Sequence, residues 1–314
     1  MFHVKDQPFP PPFGWSFFIL QNAIVYDTLS PMKHQTYTLT VSCADQPGLI
    51  AAVTGCIAET GGNILNLAQH TAVDIGMFFC RVSFAGSQTF TEDRFNAEFA
   101  KISGKFVMDW QFFNDTRKKR IAILVSKTSH CLYELLLKHA DGELDCDIPV
   151  IISNHPDLAH IATSFHLPFY QVDPAKGKDA YEKDLEEILA QYNVELIVLA
   201  RYMQVMSGAF CRKWDTKIIN IHHGFLPAFK GAKPYHQAWQ KGVKIIGATG
   251  HFATEDLDQG PIIFQDVIRV ADTRSVDEFV RMGKDVERRV LVEAVRRYLA
   301  HSIFLHDGRT FVIE

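Results

Sequence analysis

The sequence lacks paired cysteines at the spacing of a zinc site or a disulfide framework. Its six cysteines are scattered along the chain, and no Cys-x-x-Cys occurs. We therefore expect reduced, mostly buried thiols rather than metal ligands or cross-links. Reduced thiols are typical of a cytoplasmic protein.

Long apolar runs are also missing. A membrane helix needs about 18 or more consecutive apolar residues, and the nearest candidate, residues 13–26, is interrupted by Gly14, Ser16, Gln21 and Asn22. The same stretch has no basic leader and no small-residue cleavage site, so a secretory signal is not expected. We expect no membrane contact and a cytoplasmic location.

The sequence also lacks an excess of basic residues. The chain has 32 basic and 36 acidic residues and a net charge of −4, so we expect no nucleic-acid partner and favour a small-molecule one. Hydrophobic residues make up 47% and charged residues 22%, which is ordinary globular composition. A length of 314 residues suggests two domains, at about 100–200 residues each.

The first 32 residues contain several prolines and an aromatic run but no periodic pattern. We interpret residues 1–32 as an extension that is poorly ordered or not native. From Tyr37 onward the pattern predicts alternating strands and helices. The predicted elements are a strand over 38–43, a helix over 49–59 capped by an acidic turn at 45–48, strands over 63–71 and 77–84, a helix around 91–102 and a strand near 106–112. Their order is βαββαβ, a ferredoxin-like arrangement.

Residues 36–113 resemble the ACT family of ligand-sensing domains. The resemblance is carried by the segments 45–51, 61–64 and 78–82. It implies that residues 33–117 form a regulatory domain, with a small amino-acid effector near Gly61, Gly62 and Asn63 and pairing of copies into a homo-oligomer. The two glycines are equally explained as a helix stop, so the sequence leaves both interpretations open.

Residues 118–314 form the second predicted domain, after a basic cluster at 117–120 that we interpret as a solvated linker. Apolar strands over 121–125, 150–153 and 196–200 alternate with helices such as 131–138 and 181–192, a pattern typical of a Rossmann-like parallel sheet. Ligands of such sheets bind at the carboxyl ends of the strands. A capping box, Ser275 with Glu278, opens a last helix over 275–301.

The densest polar cluster follows a predicted strand that ends in Asn220 and His222. Residues two apart share one face of a strand, so these two side chains can direct N–H groups at one point, where they would stabilise an oxyanion on a carbonyl carbon. Asp258 lies on a turn before another apolar strand and adds a general acid or base. The three groups are the minimum for adding a nucleophile to a formyl carbon.

These residues resemble the folate-dependent formyltransferase family. Its pattern of Asn-x-His, Leu-Pro and Leu-Asp-x-Gly-Pro is met at 220–222, 226–227 and 257–261, and the segments 199–207 and 247–252 are similar to its pterin-pocket walls. The resemblance implies that main-chain groups in these walls hold the pterin while apolar side chains bury it. The implied folate-binding residues are Met203, Gln204, Met206, His251, Thr254 and Glu255.

The combination of the two domains is most similar to the formyltetrahydrofolate deformylases. It implies hydrolysis of 10-formyltetrahydrofolate to formate and tetrahydrofolate, which supplies formate for purine synthesis and balances one-carbon folate pools. The folate is then the substrate, and no separate cofactor is expected. One departure is Gly224, where deformylases usually carry serine, and the missing hydroxyl is expected to loosen the catalytic loop rather than change the reaction.

The main alternative is formyl transfer to an amine, as in phosphoribosylglycinamide formyltransferase. Those enzymes end the first strand of this domain in a glycine-rich loop that binds the acceptor's phosphate. The corresponding residues here, 126–130, contain no glycine, so water is the expected nucleophile.

Two further functions are less favoured. A tRNA formyltransferase would need an added basic domain, and an amino-acid sensor would not need Asn220, His222 and Asp258. No metal site is expected, because His222 and the adjacent His223 diverge on a strand.

Overall fold

The computed structural model describes residues 35–228, 233–271 and 275–314. The prediction made for residues 1–32 lies outside this range. The described chain from Gln35 onward is one unit containing two main sheets.

The first sheet is antiparallel, with strand order β2-β3-β1-β4, and carries two helices. Its apolar core includes Leu39, Ile57, Phe84 and Phe95, all fully buried. The predicted βαββαβ order is confirmed. The elements are β1 (Thr36–Ala44), α1 (Leu49–Glu59), β2 (Gly62–Ala72), β3 (Met77–Gly86), α2 (Glu92–Phe106) and β4 (Asp109–Asn114).

The predicted acidic cap of α1 is wrong. The cap residue is Gly48, whose φ of 92° is in the left-handed region, and no side chain caps the helix. The start of α2 follows the ordinary rule, because the Thr91 side chain accepts a hydrogen bond from the backbone N–H of Arg94.

The second sheet has seven strands in the order β11-β10-β9-β8-β5-β6-β7. The five strands from β9 to β7 are parallel, as predicted. A wholly parallel sheet is not found, because β10 runs antiparallel to both neighbours. The elements are β5 (Lys119–Val125), α3 (His130–Ala140), β6 (Cys146–Ser153), α4 (Ala159–Ser164), β7 (Phe169–Gln171), α5 (Lys178–Gln191), β8 (Leu196–Leu199), α6 (Gly208–Lys213), β9 (Ile218–His222), α7 (Pro234–Gln240), β10 (Ile245–Phe252) and β11 (Ile262–Arg269).

The chain ends with a long helix and a hairpin. Helix α8 (Val276–Leu299) begins at the predicted capping box, with Ser275 and Glu278 bonded reciprocally. Its apolar stripe packs on β10 and β11. The hairpin of β12 (Ile303–His306) and β13 (Arg309–Val312), which the sequence pattern did not predict, packs against β3 of the first sheet.

The basic cluster at 117–120 is not simply a solvated linker. Arg117 pairs with Glu195 at 2.7 Å, and Lys119 and Arg120 are already part of β5. The Arg120 Nε–H donates to the carbonyl of Tyr192 at 2.7 Å. The cluster therefore fixes the start of the second sheet.

All six cysteines are free and buried. Within the described ranges, every helix is too short or too polar to cross a membrane.

Candidate active site

A cavity of about 560 Å³ lies where β8 and β9 end. Both strands are parallel members of the sheet, so the cavity is at the edge where ligands of such sheets bind. Asn220, His222 and Asp258 all line it. The structure therefore brings together the three residues that the sequence singled out.

His222 and Asp258 are in direct contact. His222 Nδ1 lies 3.1 Å from Asp258 Oδ2, and both side chains are nearly buried. Burial by itself raises the pKa of Asp258, but the hydrogen bond from His222 and the nearby imidazoles outweigh it and hold that pKa below its ordinary value. The carboxylate is therefore ionised and accepts the Nδ1–H.

The other ring nitrogen of His222 is available to a ligand. Its Nε2 atom is buried and has no hydrogen-bond partner among the described residues. A buried polar atom without a partner is rare and calls for an explanation. Its position in the cavity wall makes it a donor or acceptor for a bound molecule.

His251 orients the amide of Asn220. The two residues are cross-strand partners in the β9–β10 pair, and Asn220 Nδ2 lies 3.1 Å from His251 Nε2. Burial lowers the pKa of His251, so its ring is neutral. His251 Nδ1 donates to the carbonyl of Phe252 at 2.9 Å, which leaves Nε2 to accept from Asn220. His251 is thus a satisfied core histidine that also forms part of the cavity wall.

The turn that carries Asp258 depends on the motif glycine. Asp258 has a φ of 57°, in the left-handed region. A Cβ added at Gly260 would overlap the carbonyl oxygen of Phe252. The Leu-Asp-x-Gly-Pro pattern therefore has a physical basis, because only glycine lets the turn fold back against β10 and direct the carboxylate at His222.

The loop after β9 is held in place without a serine at position 224. Thr249 Oγ1 donates to the carbonyl of Gly224 at 2.9 Å and accepts the N–H of Leu226 at 3.0 Å. A Cβ at Gly224 would lie 2.9 Å from His222 Nε2. The glycine leaves space beside the unpaired nitrogen, and the effect of the missing hydroxyl on the loop stays a prediction.

The six predicted folate-binding residues all line the same cavity. Met206 is buried, whereas Met203 is 61% exposed and its main-chain N–H is already donated to Ser126 Oγ. Thr254 donates to the carbonyl of Asp256, and the Glu255 carboxylate pairs with Arg212. Their roles toward a folate stay predictions.

The loop after β5 is committed to internal contacts. The buried Ser126 hydroxyl donates to Asn154 Oδ1 at 2.7 Å and accepts the N–H of Met203 at 2.9 Å. No glycine lies between Ser126 and His130. The loop therefore offers little of the bare main-chain N–H surface that binds a phosphate.

A buried carboxylate that the sequence pattern did not single out, Glu287 of α8, lies in the cavity wall and is 1% exposed. Its Oε2 lies 2.8 Å from His130 Nε2 and 3.4 Å from Arg201 Nε, and its Oε1 accepts the Tyr235 hydroxyl at 2.9 Å. These contacts outweigh the effect of burial and keep the pKa of Glu287 low. We call these four residues the corner cluster.

A neutral histidine adjoins the corner cluster. Burial and the nearby Arg201 cation lower the pKa of His223 to about 3, so its ring stays uncharged at physiological pH. The ring lies 6.1 Å from that of Tyr235 in an edge-on arrangement. His223 therefore contributes packing rather than charge to this wall.

Comparison with protein families assigns both parts of the chain. A model described as formyl transferase matches residues 119–295, more than half of the chain, and one described as ACT domain matches residues 37–88. The expected order, an ACT domain followed by a formyltransferase-type domain, is thereby confirmed.

Individual relatives share this organisation. A formyltetrahydrofolate deformylase of Synechocystis sp. is 43% identical over 283 residues, which cover 90% of this chain and 99% of that protein. The crystal structure of a formyltetrahydrofolate deformylase from Pseudomonas syringae pv. tomato has a TM-score of 0.86 at 40% identity, covering 91% of this chain and 97% of that one.

A transferase is similar over a smaller part. The crystal structure of glycinamide ribonucleotide transformylase 1 from Symbiobacterium toebii has a TM-score of 0.61 at 29% identity and covers 65% of this chain. The similarity to amine-using formyltransferases is therefore more distant than that to the deformylases.

Proposed function

The chain belongs to the formyltetrahydrofolate deformylases, and we propose that it hydrolyses 10-formyltetrahydrofolate to formate and tetrahydrofolate in the cavity at the ends of β8 and β9. The observation that carries this proposal is the meeting of Asp258, His222 and Asn220 in one cavity. Their side chains supply an ionised carboxylate and two potential N–H donors, which suits addition of water to a formyl carbon.

Asp258 activates the water. Its Oδ2 accepts from His222 Nδ1, which leaves Oδ1 to accept a hydrogen bond from a water molecule. As the water oxygen bonds to the formyl carbon, one of its protons passes to the carboxylate. The low pKa of Asp258 keeps the carboxylate ready for this step at neutral pH.

His222 and Asn220 stabilise the oxyanion. The unpaired Nε2 of His222 donates in its protonated form, and the second N–H of the Asn220 amide donates alongside it, since the first is bonded to His251. The intermediate then collapses, the bond between the formyl carbon and N10 breaks, and N10 takes the proton that Asp258 received from the water. The formic acid that is formed loses its remaining acidic proton to solvent. Formate and tetrahydrofolate leave.

The pterin-binding wall is formed by the predicted residues. We propose that Met206 supplies apolar burial and that main-chain groups near Gln204, His251, Thr254 and Glu255 hold the pterin. The folate is the substrate, and the proposed steps need no further cofactor.

Transfer to glycinamide ribonucleotide is the less favoured function. The Ser126 hydroxyl is bonded internally and the Ser126–His130 loop has no glycine, which argues against a phosphate cradle.

Acceptor-free turnover tests the proposal. Purified protein should release formate from 10-formyltetrahydrofolate without any amine, and glycinamide ribonucleotide should neither speed turnover nor become formylated. Formylated ribonucleotide produced at the rate of folate turnover would establish the transferase instead.

The regulatory half supports two further proposals. We propose that a small amino acid binds near Gly61, Gly62 and Asn63 and that copies of the ACT domain pair along β2, an edge strand that exposes Leu65. A strict monomer in light scattering would contradict the pairing, and unchanged turnover across the common amino acids would contradict the effector.

We propose that the reaction takes place in the cytoplasm, where the buried thiols stay reduced.

A further inference from the structure

The corner cluster lies beside the reacting groups. Arg201 follows β8 and His130 opens α3 after β5. Because β8 lies between β5 and β9 in the sheet, the cluster borders the end of β9, where His222 lies. All members of the cluster line the same cavity as His222 and Asp258.

Arg201 occupies a backbone position that favours glycine. Its φ of 65° is in the left-handed region, where a side chain adds a free-energy cost that glycine avoids. Its side chain is only 15% exposed and lies against Glu287. The ion pair with Glu287, rather than the backbone angle alone, distinguishes Arg201 from other residues with a positive φ, such as His166.

Both oxygens of the carboxylate in the cluster are engaged. Glu287 Oε1 accepts from the hydroxyl of Tyr235, and Oε2 contacts the ring of His130 and the cation of Arg201. The ion pair with Glu287 holds the Arg201 side chain at the wall of the cavity.

We propose that the corner cluster determines the choice of nucleophile, with Arg201 filling the side of the cavity from which an amine acceptor would approach the formyl carbon. This inference rests on the proposed function. A water molecule occupies only about 30 Å³, so water reaches the carbon beside Asp258 while a larger nucleophile is kept out.

Hydroxylamine is a suitable probe of this exclusion. Its nitrogen adds to the formyl carbon, the bond from that carbon to N10 breaks, and a proton from the attacking nitrogen is transferred to N10. The products are formohydroxamate and tetrahydrofolate, whereas water gives formate and tetrahydrofolate. The ratio of formohydroxamate to formate measures nucleophile choice independently of the overall rate.

Arg201→Gly removes the side chain and keeps a backbone that glycine adopts easily. The product ratio should rise about tenfold, equivalent to about 1.4 kcal/mol in favour of the amine. Arg201→Met, which keeps the length but not the charge, should leave the ratio near that of the unaltered protein. His166→Gly is the matched control, because His166 has a φ of 56° and does not line the cavity.

An unchanged ratio in Arg201→Gly, with formate release retained, would overturn the proposal and leave the deformylase function intact. Failure of the unaltered protein to release formate would overturn the proposed function instead. Arg201→Gly leaves the buried Glu287 carboxylate without its cation, and thermal unfolding would show whether this variant folds. If it does not fold, the double variant Arg201→Gly/Glu287→Gln also removes that buried charge. The ratio of formohydroxamate to formate then tests the proposal in the double variant.

Discussion

At the residue scale, the two ring nitrogens of His222 have different roles. Nδ1 is fixed by Asp258, and Nε2 is left for the substrate. The period-two spacing predicted that Asn220 and His222 share a face. It could not predict the contact with Asp258, because β10 intervenes between the two segments and its antiparallel direction brings the turn back to His222.

Glu287 was missed for a different reason. It falls between Val286 and Val290 on the apolar stripe of α8 and was passed over as part of an ordinary amphipathic helix. A lone carboxylate on a buried stripe is the signal that could have found it, since such a charge needs partners. Its partners follow other strands and could not be read from the helix itself.

His222→Ala should abolish most of the activity. Loss of one oxyanion donor costs about 2.7–4 kcal/mol of transition-state stabilisation, or about 10²–10³ in turnover. Single-turnover formate release would measure this. His155→Ala is the control, because His155 does not line the cavity; its turnover should be unchanged. Near-full turnover in His222→Ala would remove His222 from the proposed role.

At the scale of elements, hydrophobic periodicity predicted most of both sheets. The helices and the parallel strands follow from runs with a clear period, and their predicted bounds differ from the observed ones by a few residues. The antiparallel direction of β10 was not predictable, because a strand's period carries no information on its direction. The C-terminal hairpin was missed although its sequence carries a hairpin signal, because Asp307 and Gly308 stand between two short apolar runs.

The hairpin ties the end of the chain to the first sheet. Phe304 is buried against Phe79 of β3, with ring centroids 5.5 Å apart. Phe304→Ala should lower the free energy of unfolding by about 3–5 kcal/mol, measured by urea denaturation. Leu305→Ala, at the neighbouring exposed position, should have a much smaller effect. Equal effects of the two substitutions would show that the hairpin packing is not as described.

At the scale of the whole molecule, specific contacts join the two sheets. The Arg81 Nε–H donates to the carbonyl of Ala300 at 2.7 Å, and His301 stacks on Phe113 of β4. These contacts connect the first sheet to the end of α8, the helix that carries Glu287. They are the contacts through which the proposed amino-acid effector would act on the cavity.

Acidic pH should weaken this junction. Burial, with the charges of Lys119 and Arg81, lowers the pKa of His301 to about 3. At this residue the unfolded chain therefore binds more protons than the folded one, so the contribution of His301 to stability is fully present above pH 6.5 and is lost as pH falls from 6.5 toward 3.

His301→Phe keeps an aromatic ring at the junction but cannot be protonated. Near pH 5 it should reduce the pH dependence of the unfolding free energy by about 1.4 kcal/mol per pH unit, one proton's worth. Denaturation curves between pH 7 and pH 4.5 would measure this slope. An unchanged slope would mean that His301 is not held neutral at the junction; any backbone strain from the substitution is independent of pH and does not affect the comparison.

The central claim is that water is the nucleophile, and the origin of the second oxygen of formate tests it directly. Turnover of 10-formyltetrahydrofolate in ¹⁸O-labelled water, without any amine, should give formate with one labelled oxygen from the solvent and one unlabelled oxygen from the formyl group. Mass spectrometry of formate quenched at early times would measure the label. Formate without solvent oxygen, or folate turnover that begins only when an amine acceptor is added, would contradict the account.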